Sequence, residues 1–521
     1  FQNKRSTENF AGVNNYGVSS PANQIMSNSN GSSAGSHFTN SLVFKHQFTI
    51  PGRTVVVEYS DEREQSTGHN SLVNLTDFYA TGAIRTDSLA QMVNQRKRAA
   101  KKSADLTYTE PFGKKSLLML HFSPQSENQE IIRNTFSSAN QLTKSAKPDS
   151  GLSTYFTSRY LGHQGGIGYK IGAKENQFTI ELDYRAGRLD GENAYLSNHV
   201  ARKYFNLLPE LNWKMRISPS SSIKLQFHSL VDLPVTDKMQ DAVDNSEPLF
   251  YSRGNSGLLE QTAQKLSARY TYINLKNGSS FFVNLSAQKA ENYFSSASFT
   301  ASSDTVVAQN VVLKKGGQIS MPINMNGYIN LRSVFSFSLP LKPVKSVVTW
   351  NGGLQMAQTP GMVNGIRNIS ETQNYSSGLV LVSNISSFID FNLSYSGNIS
   401  RVNNSIKPGT STYFSQITSL RINLLSKTGW LFQNDLTNQS YSGLAKGYNQ
   451  HFCSWNLSAG KKFLKKQAGE LKLSVFDLLK QNRNISRTVT ETYIEDVKSL
   501  VLEQYYMLTF TYRFKAFSSS K

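Results

Sequence analysis

The chain has 521 residues, 17% of them charged, with a formal net charge of +20 and a mean hydropathy of −0.40. No run of about 18 apolar residues occurs, which excludes helical membrane spans. The single cysteine, Cys453, excludes an internal disulfide framework. Tyr and Phe are spread over the whole length without a linker-like break, so one large all-β unit is expected. The opening Phe1, Gln2, Asn3 and Lys4 form no apolar leader. Either a leader has been removed or the chain begins partway through a longer protein.

In chain order, alternation predicts strands near residues 41, 53, 104, 115, 165, 177, 204, 222, 262, 280, 325, 345, 376, 388, 412, 429, 450, 469 and 504, about 19 in all. Tight turns are predicted at Ile50 to Arg53, Pro111 to Lys114, Lys174 to Gln177, Ser218 to Ser222, Lys276 to Ser279, Ser338 to Val344, Ser386 to Phe388, Leu425 to Gly429 and Phe463 to Gly469. Their flanks alternate. Before Pro219, Leu211, Trp213, Met215 and Ile217 alternate with Asn212, Lys214 and Arg216. After Asn176, Phe178, Ile180, Leu182 and Tyr184 alternate with Thr179, Glu181, Asp183 and Arg185. The polar faces carry charge that a dry core would not accept unpaired. Each wall strand of a membrane barrel is half polar, so its signal averages out of a hydropathy scan. A soluble sandwich alternates too.

Between the hairpins lie polar stretches that read as long loops: Asp61 to Ser103, Ser123 to Gln164, Asp232 to Gln261, Ala290 to Ile323 and Lys480 to Glu503. Loops of that length are uncommon in compact soluble domains, so their recurrence favours a transmembrane antiparallel β-barrel with short periplasmic turns and long extracellular loops. With every tight turn periplasmic, the strand Leu42 to Phe48 descends. Residues 1–40 are then an extracellular loop, residues 41–514 the barrel, and residues 515–521 a C-terminal tail. A chain threaded from the periplasm does not start outside, so an odd number of upstream strands is expected.

The last strand, Gln504 to Phe514, puts Tyr506, Leu508, Phe510, Tyr512 and Phe514 on one face and Met507, Thr509, Thr511 and Arg513 on the other. Several stretches carry a family likeness. They are Asp244 to Phe250 (DNSEPLF) with Gly254 and Asn255, Thr359, Pro360 and Gly361 with Asn364 and Gly365, and Tyr441, Ser442 and Gly443 with Gly447, Tyr448 and Asn449. Ser474 to Lys480 (SVFDLLK), Ile485 to Asp496 (ISRTVTETYIED) and Tyr506 to Phe514 (YMLTFTYRF) complete the set. Together they resemble the TonB-dependent-receptor-like outer-membrane β-barrel proteins of Bacteroidota, with the C-terminal third the most specific.

The resemblance implies a carboxypeptidase-regulatory-like domain and a plug ahead of a barrel of about 22 strands, leaving about three strands upstream of the visible 19. It implies uptake of a bulky nutrient or metal complex, driven by TonB pulling on the missing N-terminal plug region, with the outer loops selecting the ligand and a surface lipoprotein as a further partner. It also implies that Tyr512 and Phe514 form an outer-membrane insertion signal. One departure is visible. The family's Gly-Asn-Pro and Leu-x-Pro-Glu are replaced by Gly254, Asn255, Ser256, Gly257, Leu258, Leu259, Glu260 and Gln261. Without the prolines this loop is expected to be less rigid.

Motifs for chemistry are weak. The eight histidines, His37, His46, His69, His121, His163, His199, His228 and His451, show no metal-ligand spacing. His228 falls on the polar face without a nameable nucleophile. Gly165, Gly166, Gly168 and Gly172 miss dinucleotide spacing and lie in a predicted strand, where thin packing or a wall bend is expected. No enzyme, metal or cofactor site is therefore expected. The densest basic run is Arg96, Lys97, Arg98, Lys101 and Lys102, placed in a long outer loop. Two readings stand: contact with lipopolysaccharide at the outer leaflet, or a hydrated loop. No nucleic-acid module surrounds it. The functional reading is an uptake receptor of the cell outer membrane. The alternative is a non-transporting barrel serving as scaffold or adhesin in a surface complex.

Overall fold

The computed structural model describes residues 2–15, 21–80, 83–137, 147–195, 198–309, 311–383, 386, 388–406, 409–444, 449–482, 484–489, 494–499 and 501–514. Its main sheet has 24 strands, four of which belong to connections, and the other twenty follow one another in chain order. We number these wall strands β1 (Gln2–Asn15), β2 (Pro21–Gln47), β3 (Thr54–Ala80), β4 (Ala83–Pro111), β5 (Ser116–Ser137), β6 (Thr154–Ala173) and β7 (Asn176–Asn193). Next come β8 (Asn198–Ser218), β9 (Ser221–Asp232), β10 (Gln261–Ile273), β11 (Ser280–Glu291), β12 (Tyr328–Leu341), β13 (Ser346–Val363) and β14 (Ile366–Ser383). The series ends with β15 (Ile389–Asn404), β16 (Ser411–Leu425), β17 (Trp430–Ser442), β18 (Gln450–Phe463), β19 (Gly469–Phe476) and β20 (Tyr505–Tyr512). Each pairs antiparallel with the next, and each predicted tight turn falls between two consecutive wall strands. At one of these turns Gly429 takes φ 89°, a left-handed value that costs an L-residue strain.

Burial is inverted relative to a soluble protein. Large apolar side chains on alternate positions are exposed, including Ile180 at 48%, Leu182 at 44% and Tyr184 at 48% on β7. Tyr506, Leu508 and Phe510 on β20 are more than 60% exposed. Adjacent strands bring these positions into register. One hydrogen-bonded row runs Phe44, Val57, Leu106, Phe122, Gly165, Tyr184, Leu207 along the same outer face. Such a belt is stable only against a non-aqueous surrounding, and in lipid the ladder satisfies the backbone groups that water would otherwise bond. The opposite face carries Glu181, Asp183, Glu210, Lys214, Lys224 and His228. The sheet is rolled: the β11–β12 connection reaches back to the start of the meander, bringing Lys314 to 4.0 Å from Asp87.

The polar stretches differ from expectation. Residues 2–15 and 21–35, within the segment expected to be a loop at residues 1–40, are paired antiparallel strands. Asp61 to Ser103 is the hairpin of β3 and β4, and most of Ser123 to Gln164 belongs to β5 and β6. With β1 the sheet has twenty described strands in chain order, against about 19 expected, and β1 pairs only with residues 21–35 of β2, beyond the apolar positions 42–48. The physical reason is solvent. A strand of 27 residues is about 90 Å long, far beyond the 9–11 residues a bilayer needs. The excess stands beyond the bilayer, where lipid no longer imposes apolar alternation while backbone pairing continues. Residues 515–521 lie outside the described residues.

Candidate functional site

On the inner face of β3 to β8, above the apolar belt, every second residue is buried: Leu72, Asn74 and Thr76 on β3, Gln91 on β4, Ile131 and Thr135 on β5, Phe156 and Tyr160 on β6. Their cover is the β9–β10 connection, residues 233–260. Its Met239 is 1% exposed, Leu249 1%, and Val243 and Leu258 0%, so these four apolar side chains give the loop a dry underside worth roughly 2 kcal/mol each. Met239 packs with Phe156, Tyr160, Leu189, Val200 and Tyr204. Val243 and Tyr251 pack with Leu152, Ala301, Val311 and Leu313, which brings in the β11–β12 connection. The two connections join edge to edge, residues 250–252 running parallel to 318–320, and residues 297–298 pair with 362–363 of β13. We call this assembly the cap.

Polar latches hold the cap to the wall. Lys97 donates to Asp237 at 2.5 Å, Arg133 meets Asp244 at 2.7 Å, and Asn198 Nδ2 donates to Asp241 at 2.7 Å. Asn74 Nδ2 donates to the Ser246 carbonyl at 2.8 Å and Gln91 Nε2 to Asn245 Oδ1 at 3.0 Å. Burial alone would raise the Asp244 carboxyl. The Arg133 charge and the hydrogen bonds from Arg133 and Ser246 outweigh it and hold the group below the usual carboxylate range. In the β11–β12 connection, the Lys315 backbone N–H, followed by Lys314, holds Asp304 low in the same way.

Below the cap the lumen wall is ionic. His121 lies 2.7 Å from Asp183, which also accepts from Gln164 Nε2 at 2.6 Å. Gly166 makes this crossing possible: a Cβ there would meet the Asp183 carboxylate and come within 2.6 Å of the Leu182 carbonyl. The glycine-rich stretch is thus a thin part of strand β6. His228 sits opposite Glu210 and Lys265 on the same face. Among the described residues no group of three or more His, Cys, Asp or Glu side chains is placed to hold a metal ion.

The predicted site residues are distributed as follows. The basic run is not a loop but part of β4, so its side chains alternate: Arg96, Arg98 and Lys102 share the outer face with Leu106, while Lys97 and Lys101 point inward. Arg96 and Arg98 both approach Glu130, at 3.3 and 3.8 Å. Tyr512 closes β20 opposite Gly469, and its ring stands edge-on to Phe514 at 4.5 Å, with Phe514 84% exposed. The latch residues Arg133, Asp237, Asp241 and Asp244 were not anticipated. Composition carried no signal for them, because each latch joins residues far apart in sequence.

A greasy belt, a wet lumen and paired strands throughout describe one kind of wall, and residues 46–512 match the outer membrane protein β-barrel family. The chain belongs to that family. It is a protein of the outer membrane. No protein in the curated, characterised set matches it in sequence. Among solved structures the barrel is similar to the ferric citrate transporter FecA in its unliganded form, at 11% identity and a TM-score of 0.43, over 94% of this chain and 70% of that one. It is also similar to the siderophore receptor PirA from Pseudomonas aeruginosa, at 11% identity and a TM-score of 0.38, over 98% and 77%. The FrpB iron transporter from Neisseria meningitidis matches at 10% identity and a TM-score of 0.38, over 98% and 76%.

Proposed function

We propose that this barrel is the wall and gate of an outer-membrane uptake receptor of the TonB-dependent type, as in Bacteroidota, taking in a bulky nutrient or metal complex. The observation that carries the reading is the cap, a folded roof latched by Lys97–Asp237 and Arg133–Asp244 across the inner face of a polar-walled mouth. A pore for small solutes has no use for a roof with its own dry core, whereas a receptor that admits one large ligand does. Energy coupling would run through TonB and an N-terminal plug, and a surface lipoprotein would meet the outer end. The barrel's role is binding and passage.

The test uses the full-length protein with Cys453 changed to Ser, and with Lys97→Cys and Asp237→Cys joined by a reducible thiol-specific cross-linker that pins the cap. Siderophores, vitamins, glycans and peptides are first screened for thermal stabilisation. Uptake of the hit is expected to stop in the pinned form, to resume on reduction, and to be abolished by a protonophore. Equal uptake with the cap pinned would count against the reading.

One observation favours the second reading, a scaffold or adhesin in a surface complex. Met26, Val73, Leu75, Ile84 and Met92 are exposed on the outer face at the far end of β2 to β4. Leu75 lies about 50 Å along the strand from Tyr59, well clear of lipid. Loss of a co-purifying surface protein on Leu75→Asp, in a parent that takes up none of the screened ligands, would support this reading.

A further inference from the structure

The cap carries a small sheet of its own, in which Phe250–Arg253, Gln318–Met325 and Tyr293–Thr300 lie side by side and residues 362–363 of β13 close the edge. One face of it shows Tyr251, Ile319 and Phe299 in one row, and Met321, Ala297 and Met362 in the next. Tyr251 belongs to the dry core of Val243, Val311 and Leu313, and Ile319 and Val307 pack against that core. Beyond them the core stays open. A recess of about 300 Å³ lies there, lined by Phe299, Val307, Ile319, Met321 and Met362, with Arg253 as its one charged lining residue among the described residues. Phe299 is 42% exposed, a large apolar ring left open beside a completed core.

We infer that this recess binds an amphipathic carboxylate, an alkyl chain of roughly ten carbons with one anionic head. Charge selects the head. Arg253 is exposed, and among the described residues it has no carboxylate within ion-pair distance and no side-chain hydrogen bond. Asp244, opposite Ser252 in the same ladder, is held by Arg133. A guanidinium beside an apolar recess offers a carboxylate two parallel hydrogen bonds while the attached chain leaves water. Size selects the chain. A cavity of about 150 Å³ accepts benzene, so about 300 Å³ accepts roughly ten to twelve carbons. The lining suits a flexible chain, because the thioethers of Met321 and Met362 re-pack around the shape that enters. Apart from Arg253, only Ser298 brings a polar side chain to the lining, too little for the hydroxyls of a saccharide or the amides of a peptide. The site belongs to the cap and goes beyond uptake, since its occupation needs no transport.

The experiment follows isotope-labelled methionine methyl signals of the full chain in lipid nanodiscs while decanoate is added below its micelle concentration at neutral pH, with folding checked by heat modifiability. The signals of Met321 and Met362, assigned by Met321→Leu and Met362→Leu, should shift to saturation, while Met215, on the lipid-facing row of β8, should not move. Affinity should rise about threefold per methylene from hexanoate to decanoate. Decanol should bind about tenfold more weakly than decanoate. Arg253→Gln should bind decanoate about tenfold more weakly and decanol within twofold of the parent, and Ala297→Leu, which fills the recess, should weaken both. An absence of saturable shifts at Met321 and Met362 would overturn the inference, as would equal shifts at Met215 or equal binding of decanol by the parent. A folded Arg253→Gln variant that binds decanoate within twofold of the parent would overturn it too. If Ala297→Leu does not fold, Arg253→Gln carries the test, because the Arg253 side chain is exposed.

Discussion

Replacing Arg133 by Met removes one side of the most enclosed latch. The Arg133 side chain is 14% exposed and Asp244 36%, so the substitution leaves a carboxylate partly out of water without its counter-charge. Removing one partner of a fully buried pair costs about 3–5 kcal/mol. Asp244 keeps a third of its surface in water and still accepts from the Ser246 backbone at 3.0 Å, which reduces the loss to about 2 kcal/mol. That corresponds to a cap open about 30 times more often. Hydrogen exchange reads it directly, because the Val243 amide donates to the Gly151 carbonyl and the Gln318 amide to the Leu249 carbonyl only while the cap stays in place. Their exchange should quicken about 30-fold while amides of β7 and β8 do not change. Asp244→Asn added to Arg133→Met should restore most of the protection, since the orphaned charge is gone. Unchanged cap exchange in Arg133→Met, or a loss spread over the wall, would refute the latch.

The same pair sets a pH dependence. Because the folded Asp244 carboxyl lies below its unfolded value, its contribution is complete above about pH 4 and is lost as pH falls through the lower folded value. Cap protection, corrected for intrinsic exchange, should hold from neutrality to about pH 4 and decline below, and Asp244→Asn should abolish that decline. On the wall, Leu182→Arg faces lipid and should cost about 2–4 kcal/mol in folding equilibria in bilayers, whereas Gln177→Arg, on the lumen face and half-buried, should cost much less. Phe514→Ser should lower the amount of folded, heat-modifiable protein in the membrane, and normal amounts would argue against an insertion role for the terminal aromatics.

The membrane-spanning wall was legible because lipid and water impose a period of two there. The terminal strand, the alternation after Asn176 and the turn at Pro51 and Gly52 all stand where the residues put them. Outside the bilayer that rule lapses. The hairpin through Asp61 to Ser103 lacks the strict alternation of the membrane part, with Val73, Leu75 and Met92 among polar residues on its outer face and Leu72 under the cap, so backbone pairing marks it better than composition does. For the same reason a basic run read as a loop is really a strand, whose alternate cations face opposite solvents. The latches were invisible because each joins residues far apart in sequence, Lys97 to Asp237 and Arg133 to Asp244, through the roll of the sheet.

The central claim is a wall with lipid on one side and water on the other. Spin labels placed singly along residues 177–186 of β7, in the C453S background and in bilayers, test it most directly. Oxygen accessibility should peak at Phe178, Ile180, Leu182 and Tyr184, and a water-soluble nickel chelate should peak at Thr179, Glu181, Asp183 and Arg185. Accessibilities that fail to alternate, or oxygen maxima on the charged positions, would contradict it.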